Sequence, residues 1–135
     1  MCVRDLGAAL RFYTDGLGFE HASDLSVAGE PAATLLRLPD VALDAVYLRR
    51  DGVMIELLHY RQPGAVGEGE PRAMNALGLT HLSLRVDDLD AALEAVSACG
   101  ARPLPDTRID DPALRARAAF VTDPDGTLIE LVESR

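Results

Sequence analysis

An internal repeat constrains this chain more than any other feature of its sequence. Val3–Leu10 matches Val86–Leu93 at six of eight positions, and Asp51–Leu58 matches Asp125–Val132 at five of eight. The matched segments occur in the same order in both halves. Two ordered matches are far less probable by chance than one, so the repeat predicts two copies of one structural module.

Composition limits the classes of protein that this chain can belong to. Its 135 residues suit one compact domain or two small fused modules, and 48% are hydrophobic, which is enough for a core. A net charge of −9 without a long basic run argues against nucleic acid as a partner. Cys2 and Cys99 make no disulfide framework, and no apolar stretch approaches a leader or membrane span. The sequence therefore predicts a soluble cytoplasmic protein without a membrane partner.

Each half opens with the signals of a helix. Asp5 and Asp88 are residues that cap helix N-termini through their side chains. Gly16 and Gly100 are predicted to end the helices in a left-handed conformation. Between these limits, apolar residues recur with helical spacing: Leu6, Ala9, Leu10 and Tyr13, then Leu89, Ala92, Leu93 and Val96.

Strands are predicted after each helix, with Asp51-Gly52 as a hairpin turn. The two copies form an α+β fold of tandem βαβββ modules over residues 1–61 and 77–135, joined by a Gly- and Pro-containing linker over 62–76. Only Met1–Val3 remains of the first module's opening strand, which is otherwise missing. The predicted strands are Ala33–Leu38, Ala45–Arg50, Val53–Tyr60, Leu79–Val86, Arg102–Pro105, Ala116–Thr122 and Thr127–Glu133.

Polar residues of the predicted strands fall into groups, because strand side chains alternate between faces. His81, Ser83 and Arg85 share one face of the strand that opens the second module. The repeat makes Glu56 equivalent to Glu130, so each module holds one glutamate at the same height of its last strand. The residues predicted to share the face of Glu56 are Met54, Leu58 and Tyr60.

Three segments resemble signatures of the vicinal oxygen chelate superfamily, which includes glyoxalase I, bleomycin-resistance proteins and dioxygenases. Arg11–Glu20 is similar to the FY-x-x-x-LGF-E pattern after the first helix. Gly78–Asp88 is similar to the opening strand of the second module, and Asp123–Leu131 resembles the DP-x-G-x-x-x-EL closing strand. The chain is identified as a member on the order and spacing of these motifs. The resemblance implies curled mixed sheets around a cleft.

The resemblance also implies a divalent cation as cofactor. Metal-dependent relatives take one ligand from the first strand and one from the last strand of each module. Carried over by position, the ligands are His81, Glu130 and Glu56, and the fourth belongs to the strand that is largely missing. Zinc, nickel, manganese, cobalt, iron and magnesium are all compatible with these ligand types. Arg85, Ser83, Tyr60 and Met54 are predicted to bind the substrate.

Structural roles for the same residues remain open alternatives. A lone histidine on a strand is more often structural than a metal ligand, and only its place in the repeat and motif favours His81. A glutamate in an apolar strand is unusual unless it is paired or binds metal, which favours Glu130. Arg85 is either a cavity residue or a solvated strand end. His21 and His59 are predicted to lie on the surface.

Three functions are compatible with the sequence. The first is a metal-dependent lyase or isomerase of the glyoxalase or methylmalonyl-CoA epimerase type, in which the metal stabilises an enolate and Glu130 or Glu56 is the base. The alternative is a metal-free protein that sequesters a small molecule such as an antibiotic, although the chain has no Trp and only three Phe and three Tyr to stack on it. A ring-cleaving dioxygenase ranks last, because it needs two histidines and a carboxylate. An unpaired strand edge near Glu56 predicts a homodimer.

Overall fold

The computed structural model describes residues 1–134 and contains two mixed groups of helices and strands. Helix α1 continues directly into a π-helical turn over Phe12–Gly16. The helices are α1 (Leu6–Arg11), α2 (Ala32–Leu36) and α3 (Leu89–Ala98); the strands are β1 (Glu20–Ala28), β2 (Ala42–Arg50), β3 (Val53–Gln62), β4 (His81–Val86), β5 (Arg102–Asp111), β6 (Ala116–Thr122) and β7 (Leu128–Ser134).

The strands form two separate sheets whose topologies repeat each other. The first sheet has the order β1-β2-β3 and is antiparallel, and the second has the order β4-β7-β6-β5, with β4 parallel to β7. Cys2 forms a parallel bridge to Leu58 of β3, which is the pairing that β4 makes with β7. The predicted α+β fold of two βαβββ modules is confirmed, with three residues of the first opening strand in place.

The predicted helix starts are confirmed, and one of the two predicted helix ends is wrong. The Asp5 carboxylate accepts from the amide of Ala8, and Asp88 accepts from the amides of Asp90 and Ala91 in its own helix. Gly100 has the expected positive φ of 93°, whereas the left-handed residue after the first helix is Gly18, at 72°. Gly16 instead provides a close approach, since a Cβ there would lie 3.3 Å from both Val96 Cα and Cys99 Cβ.

The segment between the first helix and β2 differs most from its prediction. The predicted strand Ala33–Leu38 is wrong: residues 32–36 form α2, which packs against β1. Strand β1 was not predicted, because it is exposed along almost its whole length and so lacks the apolar alternation that identifies a half-buried strand. Its polar composition hid the strand, and the apolar run beside it fits either a short helix or a strand.

One hydrophobic core serves both halves of the chain. The π-helical turn packs against α3, and both lie against the sheets. The face of the first sheet with Leu48 and Leu57 and the face of the second with Ile129 and Leu131 belong to the same buried cluster. The opposite face of each sheet therefore points away from this core, and we call these the outer faces. Within residues 1–134, no helix has the length and apolar character needed to cross a membrane.

Candidate metal centre

Two of the predicted metal ligands, His81 and Glu130, lie together on the outer face of the second sheet. They come from the neighbouring parallel strands β4 and β7, on which Ser83 is the direct partner of Glu130. His81 Nε2 is 3.7 Å from Glu130 Oε2, and 28% of each side chain is exposed. Two ligands bound at 2.0–2.2 Å to one tetrahedral ion stand about 3.4 Å apart, so this pair needs little adjustment to share a cation.

The imidazole of His81 is held so that Nε2 faces the glutamate. Its other ring nitrogen, Nδ1, is 3.0 Å from the hydroxyl oxygen of Thr80, which can accept the Nδ1 proton and leave a lone pair on Nε2. The ring of Phe120 stands edge-on to the imidazole, with centroids 5.5 Å apart. Phe120 is also the cross-strand partner of Glu130 on β6. The aromatic ring thus restricts both members of the pair.

The third predicted ligand, Glu56, lies on the outer face of the first sheet. Its cross-strand partner on β2 is Tyr47, whose hydroxyl donates to the carboxylate and whose pKa that hydrogen bond raises. Glu56 and Glu130 thus occupy equivalent places, each opposite an aromatic residue of the neighbouring strand. In the first module the aromatic side chain carries the donor, and in the second it packs against a histidine.

Within one chain, the structure does not bring Glu56 to His81 and Glu130. Glu56 belongs to the first sheet and the His81–Glu130 pair to the second, and the two sheets are not hydrogen-bonded to each other. Throughout the part of the chain that the structure describes, no three His, Cys, Asp or Glu side chains are grouped closely enough to hold a metal ion. A single chain therefore presents a two-ligand half-site on the second sheet and a single carboxylate on the first.

The remaining predicted site residues are distributed over both faces. Ser83 and Arg85 are exposed on β4 near the histidine, and the Arg85 carbonyl accepts from Arg50. Tyr60 is half-buried on β3, whereas Met54 is 60% exposed at the start of the same strand. They lie near the His81–Glu130 pair or near Glu56, and they do not meet at one site.

Each half-site opens into a cavity. Beside His81 lies a cavity of about 260 Å³ whose walls include Leu79, Leu82 and Leu128. Over Glu56 lies a larger one of about 930 Å³, walled by the first sheet and α2. The larger volume falls within the range of small-molecule sites in proteins.

Sequence reasoning missed Tyr47, Phe120 and the cavity wall formed by α2. A signal for Tyr47 was present: the two-residue turn Asp51-Gly52 pairs Arg50 with Val53, and counting outward places Tyr47 opposite Glu56. The equivalent count in the second module is obscured by its longer turn. The α2 wall carried no signal, because its apolar run was interpreted as a strand.

Comparisons with known proteins agree with this architecture. A family model described as the Glyoxalase/Bleomycin resistance protein/Dioxygenase superfamily matches residues 1–131. The uncharacterised protein YaeR of Escherichia coli (strain K12) is 31% identical over 129 residues, covering 96% of this chain and 88% of that protein.

Solved structures share the fold at lower identity. A glyoxalase family protein from Bacillus cereus has a TM-score of 0.84 at 21% identity, covering 98% of this chain and 89% of that one. The fosfomycin resistance protein FosX from Listeria monocytogenes, solved as a variant with Mn(II) and a dihydroxypropylphosphonic acid, has a TM-score of 0.63 at 15% identity, covering 100% and 86%. Taken with the match over residues 1–131, the repeated βαβββ topology leads to one assignment: the chain belongs to the glyoxalase/bleomycin resistance protein/dioxygenase superfamily.

Proposed function

We propose that this protein is a metal-dependent lyase or isomerase of the glyoxalase or methylmalonyl-CoA epimerase type, acting on a small molecule with two neighbouring oxygen atoms. The observation that carries the proposal is the His81–Glu130 pair, an imidazole and a carboxylate 3.7 Å apart on one open sheet face. Imidazole and carboxylate are ligands for catalytic divalent cations. FosX, which shares the fold, was solved with Mn(II).

The complete site requires a second copy of the chain. Because residues 1–134 of one chain hold no group of three such ligands, the third carboxylate would come from a partner that sets its first sheet, with Glu56, against His81 and Glu130. A twofold dimer does this twice, giving two equivalent sites of three protein ligands each. Three ligands with an open position are typical of catalytic rather than structural metal sites. We therefore propose a homodimer, and its two free cysteines agree with a cytoplasmic location.

The chain's own residues supply the other parts of the reaction. A divalent cation at this site would supply Lewis-acid chemistry that stabilises an enolate. Glu130 and Glu56 are the two carboxylates from which the base that removes the proton is drawn. Ser83, exposed beside Glu130, donates a hydrogen bond to substrate. Phe120 keeps the imidazole from rotating away when the substrate enters.

The large cavity over Glu56 favours a second candidate function. Its apolar walls and its separation from the histidine within one chain would also suit a metal-free protein that sequesters a small molecule. In that case Glu56 contacts the ligand directly, and the His81–Glu130 pair is an ordinary half-exposed ion pair.

Calorimetry with Mn(II) tests the metal proposal. We expect the wild-type protein to bind Mn(II), and both His81→Ala and Glu130→Ala to weaken binding by about tenfold to a hundredfold, since each removes a direct ligand. His21→Ala is the matched control, because His21 is exposed and pairs with Asp24 away from both outer faces. Binding that survives both substitutions, or no binding by the wild type, would refute the metal site and favour sequestration.

A further inference from the structure

The cavity over Glu56 has a wall that consists mostly of hydrocarbon. It measures about 930 Å³ and lies between the outer face of the first sheet and α2. Leu35 of α2 is 82% exposed at its edge, and Leu25 of β1 is 48% exposed. The other apolar residues of the wall are Val27, Ala28, Pro31, Ala32, Leu36, Leu43 and Leu58.

The three hydroxyl groups of the wall give their protons to carboxylates. Ser26 Oγ donates to Asp44 at 2.6 Å, and Thr34 Oγ1 donates to Glu30 at 2.6 Å. The hydroxyl of Tyr47 donates to Glu56. A hydroxyl has one proton and two lone pairs, so each of these groups has only lone pairs left for a ligand. The polar part of the wall therefore accepts hydrogen bonds and does not donate them.

The charge of the wall is negative, which also favours a ligand that donates hydrogen bonds. Glu56 is the one ionisable acid that lines the cavity, and none of the lining residues drawn from residues 1–134 is basic. Asp44 and Glu30 stand directly behind the wall as the acceptors of its hydroxyls. Arg61 neutralises Asp44 through a 2.8 Å ion pair, and the net charge of the chain is −9. Without a metal, an anion entering here would lose its hydration and gain no positively charged side chain.

We propose that this cavity binds an amphipathic organic cation: an apolar body in contact with the leucine and proline wall, and an ammonium group directed to the oxygens of Glu56 and the three hydroxyls. The ring of Tyr47 adds a face on which a cation is favoured. This inference rests on the second candidate function, in which Glu56 contacts the ligand directly, and it names the chemical class of that ligand. Without a metal, this cavity offers phosphonates, phosphates and coenzyme A esters no basic side chain from residues 1–134.

Three probes with one body and different head groups test the inference. They are 2-phenylethylamine, 2-phenylethanol and 3-phenylpropanoate, titrated into the purified protein in the presence of EDTA. We expect the amine to bind at least about tenfold more tightly than the alcohol, and the carboxylate to bind more weakly than both. Glu56→Gln should weaken amine binding by about tenfold and leave the alcohol unchanged.

The control variant is Glu20→Gln, which removes an exposed carboxylate from the same sheet without touching the cavity wall. It should bind the amine as the wild type does, and matching circular dichroism spectra would show that Glu56→Gln folds. Equal binding of all three probes, binding of none, or amine binding that Glu56→Gln leaves unchanged would overturn the inference. Because EDTA removes metal, these results are independent of Mn(II) binding at His81, so the two proposals can fail separately.

Discussion

The hydroxyl of Tyr13 donates a 2.8 Å hydrogen bond to the carboxylate of Asp123, and both residues are almost completely buried. Tyr13 belongs to the helical segment of the first module, and Asp123 opens the β6–β7 turn of the second. The same carboxylate also accepts from the amides of Asp125 and Thr127. One buried acid thus holds a turn of its own module and the helix of the other.

Removing the Tyr13 hydroxyl should destabilise the whole chain. Tyr13→Phe keeps the ring but leaves a buried carboxylate oxygen without its donor, which costs about 1–3 kcal/mol. The free energy of unfolding in urea measures this loss. Tyr60→Phe, at a half-buried position of β3, is the control and should change stability by less than about 0.5 kcal/mol. Equal stability of the two variants would show that the hydrogen bond between modules contributes nothing.

Asp123 should contribute to the pH dependence of the free energy of unfolding. Burial raises the pKa of this carboxyl above its ordinary value of 3.8, against the opposing effect of its hydrogen bonds. Between the ordinary and the raised pKa, the folded state binds more protons than the unfolded state, so the contribution of Asp123 falls as pH rises through that window. We expect the free energy of unfolding of the wild type, relative to that of Asp123→Asn, to increase on acidification. Urea unfolding at each pH measures this difference.

Asp90 provides a comparison of opposite sign. Hydrogen bonds from Arg117 and Arg108 lower the pKa of its carboxyl in the folded state. Its contribution is therefore present above pH 3.8, the ordinary value, and is lost as pH falls through the lowered pKa. The stability of the wild type relative to Asp90→Asn should decrease on acidification. Slopes of the same sign for both variants would contradict the assignment.

Gly16 should tolerate no side chain. A Cβ at this position would lie 3.3 Å from the backbone of α3 at Val96, which has little room to move in a shared core. Gly16→Val should therefore cost about 1–3 kcal/mol through overpacking, measured as a lowered melting temperature. Gly7→Ala in α1 is the control: its Cβ meets only the ends of the Asp5 and Arg11 side chains, and alanine favours a helix. A Gly16→Val variant as stable as Gly7→Ala would show that the helices can separate at no cost.

Mixing two inactive variants should restore metal binding if the site is shared between subunits. His81→Ala and Glu56→Ala each break both sites of a homodimer. In a mixed dimer one site carries both substitutions and the other carries neither. Random exchange makes half of the dimers mixed, so about a quarter of the sites should recover wild-type affinity for Mn(II). No recovery after complete exchange, shown by light scattering and mass spectrometry, would show that the site is not shared between subunits.

The repeat was sufficient to predict the two-module fold, because the helix caps and the hairpin turn that it contains are local signals. Helix caps depend on neighbouring residues, as Asp5 and Asp88 show, and the pairing of β2 with β3 depends on a two-residue turn. The failures occurred where tertiary contacts decide the local structure. Gly16 lies where α3 packs closely against it, which the local sequence does not reveal, and β1 pairs with β2 although its own residues are exposed.

The part of the candidate site that lies within one sheet could be predicted from the sequence, and the arrangement between the two sheets could not. Strand parity predicts which face His81 occupies, and the superfamily resemblance implies that Glu130 is its neighbour; the structure has them on paired strands, 3.7 Å apart. The position of Glu56 relative to them depends on how two sheets are arranged around a core, and no periodicity encodes that arrangement. The hydrogen bonds from Ser26 to Asp44 and from Thr34 to Glu30 could not be predicted from the sequence either. These residues come into contact only through the fold of β1, β2 and α2.

The single core shared by the two sheets has a consequence for how such a duplicated chain can change. Substitutions that alter one outer face leave the interior untouched, so each copy of the module can acquire its own chemistry without endangering the other. The outer face of the first copy has a tyrosine and an apolar cavity, and that of the second has a histidine beside a phenylalanine. Separating the two copies would expose the shared core to water, so neither half is expected to be stable on its own.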